Sequence, residues 1–127
     1  MNEINEIVSD IKSGKVKPIY LLTGEEPYYI DKISDFIEAN ILQEEEKEFN
    51  QTVMYGRDVE IEDIVGAAKR FPMMAEKQVI IIKEAQYLSR TIDKLAAYAK
   101  NPQPSTVLVL NYKYNKIDKR KAVFKAI

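Results

Sequence analysis

The recurrence of short, continuous apolar runs constrains the fold of this chain more than any other feature. Such runs cover residues 18–22, 79–82 and 107–110, and residues 50–55 add a weaker run that alternates. An unbroken run of four or five branched or leucine side chains predicts a strand that is buried on both faces. Because residues 79–82 are all β-branched, they are predicted to form a central strand of the sheet.

Between these runs, apolar residues recur at helical spacing over residues 4–11, 30–41, 61–68 and 92–99, and again over residues 119–127. Alternating helices and strands are typical of a parallel sheet that is covered on both faces. We therefore predict an α/β fold, a three-layer parallel sheet with helices on both faces, in one domain over residues 1–127. Asp58 is predicted to cap the helix after the second strand. The acidic run Glu44-Glu45-Glu46 is predicted to be a solvated loop.

The composition excludes several classes of function. The 127 residues include no cysteine and no histidine, which excludes disulfides, thiol catalysis, the usual zinc sites and a serine–histidine triad. No apolar run reaches the roughly 18 residues that a membrane span requires, and the acidic, polar N-terminus is not a signal peptide. A cytoplasmic protein with no metal, no other cofactor and no membrane contact is the expectation.

The net charge of −1 conceals an asymmetry along the chain. Residues 1–65 carry 6 basic and 16 acidic side chains, whereas residues 66–127 carry 13 and 4. Cations near the C-terminus could contact nucleic acid or an acidic partner, although a solvated lysine surface is an equally good interpretation. The candidates for such a contact are Lys113, Lys116, Lys119 and Arg120.

The residues after the first predicted strand begin like a phosphate-binding loop but lack its essential parts. Counted from Gly24, a GxxxxGK[ST] loop requires Gly, Lys and Ser or Thr where this chain has Tyr29, Ile30 and Asp31. The missing lysine removes a phosphate contact, and the missing hydroxyl removes a magnesium ligand. Two glutamates directly after Gly24 would repel a triphosphate. We predict a degenerate phosphate loop that binds no nucleotide.

The ends of the other two apolar strands also carry incomplete sites. Lys83 stands where nucleotide hydrolases of this architecture place a magnesium-binding Asp, and Glu84 follows it with no metal to act upon. This pair is predicted to be a degenerate metal site. Residues 111–115 alternate asparagine, tyrosine and lysine, which could stack on bases and contact phosphates. A turn with exposed lysines explains the same pattern equally well.

These three incomplete sites, in this order, resemble the delta subunits of bacterial DNA polymerase III, the clamp-loader component known as the wrench. The matching stretches are KPIYLLTGEEPYYIDK, FPMMAEKQVIIIKEAQYLS and VLVLNYKYNKIDKRKAVFKAI, which together span most of residues 17–127. The resemblance implies a degenerate P-loop NTPase domain of the AAA+-like type, the N-terminal domain of a longer subunit. The helical pattern that reaches Ile127 without a stop signal agrees with that expectation.

The resemblance also implies a function without catalysis. Delta subunits grip the sliding clamp (beta) and hold its ring open, while other loader subunits (delta prime and gamma/tau) complete an assembly that loads the clamp on primed DNA. The hydrophobic element that inserts into the clamp matches Phe71, Pro72, Met73 and Met74. Proline would rigidify this element, and methionine adapts to a partner's pocket. Packing of Phe71 and one methionine under the sheet is the alternative.

Three other functions remain open. The chain could be a degenerate nucleotide-binding scaffold that never touches the clamp. It could be a nucleic-acid-binding domain that uses residues 112–125, and its DNA affinity would then fall steeply with salt. An active ATPase is the least favoured, because the phosphate loop and the metal site both lack their key residues.

Overall fold

Four parallel strands form a single sheet in the order β1-β4-β3-β2. The computed structural model describes the backbone of residues 2–24, 26–113 and 121–127, and the side chains over the same ranges from residue 5 onward. The inner strands β3 and β4 are almost entirely buried, which confirms the predicted α/β fold and the central place of residues 79–82. The strands are β1 (Ile19–Gly24), β2 (Gln51–Tyr55), β3 (Gln78–Lys83) and β4 (Thr106–Lys113).

Helices cover both faces of the sheet, as the alternating pattern predicts. Five of the α-helices match segments with apolar residues at helical spacing. One further α-helix and two single-turn 3₁₀ helices, Ala85–Leu88 and Ile92–Leu95, occur among the described residues. None of the described helices is long and apolar enough to cross a membrane. The α-helices are α1 (Asn2–Lys12), α2 (Pro27–Asn40), α3 (Glu44–Asn50), α4 (Ile61–Ala68), α5 (Ala96–Lys100) and α6 (Ala122–Ala126).

The inner strands divide their side chains between two hydrophobic clusters. Val79 and Ile81 pack on the face that α1 and α2 cover, together with Val107 of β4. Ile80 and Ile82 pack on the other face against α4, α5 and α6. Successive strand residues point to opposite faces, so a strand covered on both sides has no position for an exposed polar residue. This explains the unbroken apolar runs.

Two predictions at helix starts are wrong. The acidic run is not a loop but the first turn of α3, where the Gln43 N–H donates to Glu46 Oε1 at 2.9 Å. Glutamates in a first turn also interact favourably with the positive end of the helix dipole. Asp58 caps no helix, because its N–H donates to the Tyr55 carbonyl within a turn. The helix α4 begins three residues later, where the Glu60 N–H donates to Asp63 Oδ2 at 2.9 Å.

Two helical predictions are correct in place but not in extent. Residues 92–99 form a 3₁₀ turn that continues into the short α5, and not one α-helix. The last helix, α6, covers only five residues of the predicted range 119–127. Lys119 and Arg120 lie outside the described residues. The Ile4 side chain, which the periodicity places on the buried face of α1, also lies outside them.

Candidate functional site

The predicted contact residues and the three incomplete sites lie at opposite edges of the sheet. In a parallel sheet all strands begin on one side of the sheet and end on the opposite side. The side where the strands begin is called the amino edge below, and the side where they end is called the carboxyl edge. Residues 71–74 precede β3 and therefore lie at the amino edge of the sheet. The incomplete sites follow β1, β3 and β4, so they lie at its carboxyl edge.

At the amino edge, residues 71–74 form an exposed apolar segment, called the tip below. Relative exposure is 76% for Phe71, 61% for Met73 and 100% for Met74, while Pro72 is half-buried. Large apolar side chains are rarely this exposed next to one another unless they serve a contact. The alternative in which Phe71 and one methionine pack under the sheet is therefore wrong.

A buried asparagine holds the tip in place. The Asn50 side chain is 3% exposed, and its Nδ2 donates to the Met73 carbonyl at 2.8 Å. Its Oδ1 accepts a hydrogen bond from the Met73 N–H at 2.7 Å. The amide thus pairs with both backbone groups of one tip residue, as a neighbouring strand would. The next residue, Met74, has φ +55, a left-handed conformation that is uncommon outside glycine.

Two further polar residues fix the base of the tip. The Gln78 Nε2 lies 2.6 Å from the Arg70 carbonyl and 2.8 Å from Thr106 Oγ1. The Thr106 hydroxyl in turn donates to the Ala68 carbonyl at 2.6 Å. Because Gln78 and Thr106 are the first residues of β3 and β4, the two inner strands hold the chain where it leaves α4. The tip therefore projects from a fixed base.

Sequence reasoning missed these supporting residues. Asn50, Gln78 and Thr106 are polar residues at or just before the starts of strands, and Asn50 and Thr106 are buried. A polar side chain that enters a buried sheet must find hydrogen-bond partners, which is a signal that could have marked all three. Their partners could not be identified from the sequence, because Asn50 and Met73 are 23 residues apart.

At the carboxyl edge, the three incomplete sites meet at one ammonium group. The Lys113 Nζ lies 2.6 Å from Asp31 Oδ1 and 3.4 Å from Glu84 Oε2, and the Lys113 N–H donates to Gln86 Oε1 at 3.0 Å. β4 lies between β1 and β3, so its last residue reaches the residues that follow both neighbours. The lysine thus links the degenerate phosphate loop, through Asp31, to the degenerate metal site, through Glu84.

The electrostatics of this cluster favour the charged form of the lysine. Burial is the largest single influence on the pKa of Lys113, and by itself it would lower that pKa. The hydrogen bond and charge of Asp31, together with those of Glu84, outweigh burial, and the pKa of Lys113 is raised above its usual value. The single positive charge of Lys113 offsets one of the two negative charges and lies closer to Asp31 than to Glu84. An ammonium at these distances disfavours a divalent cation beside the same carboxylates.

The phosphate-loop positions have local structural roles. Gly24 has φ +149, which favours glycine, and Ile30 is 3% exposed in the core between α2 and the sheet. A functional phosphate loop has its lysine at this position. In this chain the position is occupied by an isoleucine that lies inside the core. Tyr29 is partly exposed and packs edge to face on Tyr28 at 5.2 Å between ring centroids. Lys83 is half-buried, and its carbonyl accepts the Gly56 N–H at 2.8 Å.

Residues 111–113, the described part of the predicted base-stacking segment, are the last residues of β4 and do not form a stacking surface. Tyr112 is buried and packs edge to face on Phe124 at 6.0 Å between ring centroids. Asn111 is also buried and donates to Ser34 Oγ at 3.0 Å. Lys113 makes the internal ion pairs, which leave its side chain 13% exposed, and its contact with a partner stays a prediction. Lys116, Lys119 and Arg120, like Tyr114, lie outside the described residues.

Comparisons with known proteins identify the same relatives by sequence and by structure. A family model described as DNA polymerase III, delta subunit, matches residues 20–127. DNA polymerase III subunit delta of Bacillus subtilis is 29% identical over 96% of this chain. The solved structure of the Bacillus subtilis DNA clamp loader delta protein superposes with a TM-score of 0.83 and 28% identity over 97% of this chain. The chain spans about two fifths of the length of these relatives, 38% and 39% respectively.

Proposed function

The chain belongs to the family of DNA polymerase III delta subunits, and on that premise we propose that it grips the sliding clamp through the tip and helps to open the ring. In this proposal the domain hydrolyses no ATP itself. It acts as the clamp-gripping part of a larger subunit, within a loader whose other subunits, delta prime and gamma/tau, use ATP to load the ring on primed DNA.

The observation that carries the proposal is the exposed but anchored tip. Phe71, Met73 and Met74 leave most of their apolar surface in water. Burying one such side chain in a partner's pocket contributes about 1.5–3 kcal/mol before the costs of association. A few residues of this kind carry most of the energy of a typical protein–protein interface.

The anchoring of the tip supports a binding role. A loop that must become ordered when it binds loses part of its contact energy to that ordering. The two hydrogen bonds of Asn50 and the contacts of Gln78 fix the tip before any partner arrives. Lys69 and Arg70, both exposed, directly precede the tip and would attract an acidic surface, which speeds encounter.

The carboxyl edge supports a role without ATP hydrolysis. The Lys113 ammonium pairs with the carboxylates of Asp31 and Glu84, and a buried isoleucine stands where a phosphate-binding lysine would be. A positive charge held between those carboxylates opposes the binding of Mg²⁺ there. The sheet then serves as a scaffold that presents the tip.

Ring opening follows from differential binding. A ligand shifts an equilibrium between two shapes only by the difference in its affinity for them. The tip would therefore bind more tightly to the clamp subunit in the shape that does not close the ring. Changes in the partner subunits that use ATP would present or withdraw the tip.

The proposal is tested by equilibrium binding to the sliding clamp of the same organism. We expect the wild-type chain to bind, and a Phe71→Ala/Met73→Ala/Met74→Ala variant to lose at least a hundredfold in affinity. The removed side chains are exposed, so the variant should keep its far-UV circular dichroism spectrum and its melting temperature. A matched control replaces Tyr28, Tyr55 and Tyr87, exposed residues at the carboxyl edge, with alanine.

The outcomes separate the alternatives. Loss of binding in the tip variant alone places the clamp contact at the tip. Equal loss in both triple variants would mean that affinity follows general surface hydrophobicity, and the tip would not be the contact. A wild-type chain that fails to bind the clamp at all would contradict the proposed function.

A further inference from the structure

We infer that Phe49 and the exposed carboxylates of α3 are a second part of the clamp contact, beside the tip. This inference rests on the proposed function and extends it from the sequence segment 71–74 to a helix that sequence reasoning interpreted as a loop. It assigns a contact role to α3, and it specifies the chemistry that the partner must present there.

Phe49 is exposed without a local reason. Its side chain is 67% exposed, comparable to the tip residues, although it occupies the last turn of a seven-residue helix next to a buried residue. A helix of this length gains most of its stability from packing, and a phenylalanine is its largest apolar group. Leaving that group in water suggests that another molecule covers it.

The structure places Phe49 next to the tip. Its chain neighbour is Asn50, and the Asn50 amide holds the Met73 backbone through two hydrogen bonds of 2.7 and 2.8 Å. Phe49 is therefore directly adjacent in the chain to the residue that fixes the tip. A partner pocket that receives Met73 therefore comes close to the end of α3, where Asn50 bonds the Met73 backbone.

The exposed apolar residues are also segregated between the two edges. Phe49, Phe71, Met73 and Met74 precede β2 and β3 and lie at the amino edge. The strongly exposed tyrosines, Tyr28, Tyr55 and Tyr87, follow or end β1, β2 and β3 and lie at the carboxyl edge. The grouping of phenylalanine and methionine at one edge indicates one apolar contact surface there, of which Phe49 is a member.

The charges around this surface specify the partner. In α3, Glu44 is paired with Lys47 at 2.6 Å, whereas Glu45 and Glu48 are exposed and make no ion pair with any described side chain. Lys69 and Arg70, which lead from α4 into the tip, are exposed. A complementary pocket would carry a basic group on the α3 side and an acidic group on the α4 side, and this polarity would orient the docked chain.

The test compares clamp binding of Phe49→Ala with that of Tyr28→Ala, whose parent side chain is similarly exposed at 63% but lies at the other edge. We expect Phe49→Ala to weaken binding at least tenfold, Phe49→Leu to recover most of the loss, and Tyr28→Ala to bind like wild type. Because Phe49 is exposed, the melting temperature of Phe49→Ala should stay within about 2 °C of wild type.

The charge part of the inference has its own measurement. A Glu45→Gln/Glu48→Gln variant should associate with the clamp several-fold more slowly at low salt, and the difference should vanish at high salt. Asp35→Asn, a charge removed from an exposed position on α2, is the control and should associate like wild type.

The results distinguish this inference from the proposal on which it rests. If Phe49→Ala binds like wild type while the tip triple variant has lost binding, the role of Phe49 is overturned and the proposed function stands. If the tip triple variant also binds like wild type, both are overturned. If Phe49→Leu fails to recover binding that Phe49→Ala has lost, a loss of apolar contact is not the cause and the inference fails.

Discussion

The Asn50→Ala substitution tests whether one buried amide holds the tip. In the wild-type chain the amide makes two hydrogen bonds with the Met73 backbone and one of 3.0 Å with the Glu46 carbonyl. Alanine removes both the donor and the acceptor from a position that is 3% exposed. Water cannot replace them fully there, because Asn50 lies under the tip where α3 ends and β2 begins.

The expected cost follows from the number of bonds to the tip. Each intramolecular hydrogen bond contributes about 1 kcal/mol net, so the two bonds to Met73 give a loss of about 2 kcal/mol in the free energy of unfolding. For a chain of 127 residues the unfolding entropy is about 270 cal/mol/K at roughly 2.1 cal/mol/K per residue, so the melting temperature should fall by about 7 °C. Thermal melts followed by far-UV circular dichroism measure this shift.

Asn40→Ala is the matched control. Asn40 is exposed at the end of α2, and its Nδ2 donates to one backbone carbonyl, that of Phe36, at 2.8 Å. An exposed hydrogen bond of this kind is replaced by water, so we expect less than about 0.5 kcal/mol of destabilisation. If Asn50→Ala melts within about 2 °C of Asn40→Ala, the amide does not anchor the tip and the reasoning is refuted.

Three other predictions concern the sheet and its carboxyl edge. Gly56→Ala should destabilise the chain by about 2–4 kcal/mol in urea denaturation, because a Cβ there would lie 2.3 Å from the Glu84 carbonyl oxygen. Gly66→Ala, in the open interior of α4, should instead stabilise it by about 0.5–1 kcal/mol, and equal effects would contradict the clash. Burial raises the pKa values of Tyr20, Tyr98 and Tyr112, and the carboxylates around Lys113 raise its pKa, so the folded state holds these protons more tightly than the unfolded state. Stability should therefore be constant up to about pH 10 and fall above it, whereas a melting temperature unchanged up to pH 11 would refute this linkage. Lys113→Met should lower the free energy of unfolding at pH 7 by only about 1 kcal/mol, since water screens the half-exposed Asp31. The variant should also lose less stability than wild type at alkaline pH. If it is as stable as wild type at pH 7, the ion pairs contribute nothing.

The sequence by itself determined the elements of the sheet and the places of its incomplete sites. The four strands and five of the α-helices follow from patterns that are local, because burial on two faces requires unbroken apolar runs and burial on one face of a helix requires helical spacing. The exposure of residues 71–74 was not readable from the residues alone, because an interruption of the periodic core pattern also fits Phe71 and one methionine packed under the sheet; the expected contact came from the family resemblance. The helix α3 was not readable either, because its run of glutamates reads as a solvated loop until its Gln43–Glu46 cap is seen.

The tertiary structure decided what these elements do for one another. The order β1-β4-β3-β2 inserts the last strand between the first and the third, and only this insertion brings Lys113 to Asp31 and Glu84. The contact of Asn50 with Met73 likewise joins residues that are distant in the chain. Local patterns record which side chains are buried, but the partner of a buried polar group depends on which strands become neighbours. The order of the strands depends on how the whole sheet packs. The contacts of Lys113 at the carboxyl edge and of the anchored tip at the amino edge could therefore be seen only in the folded structure.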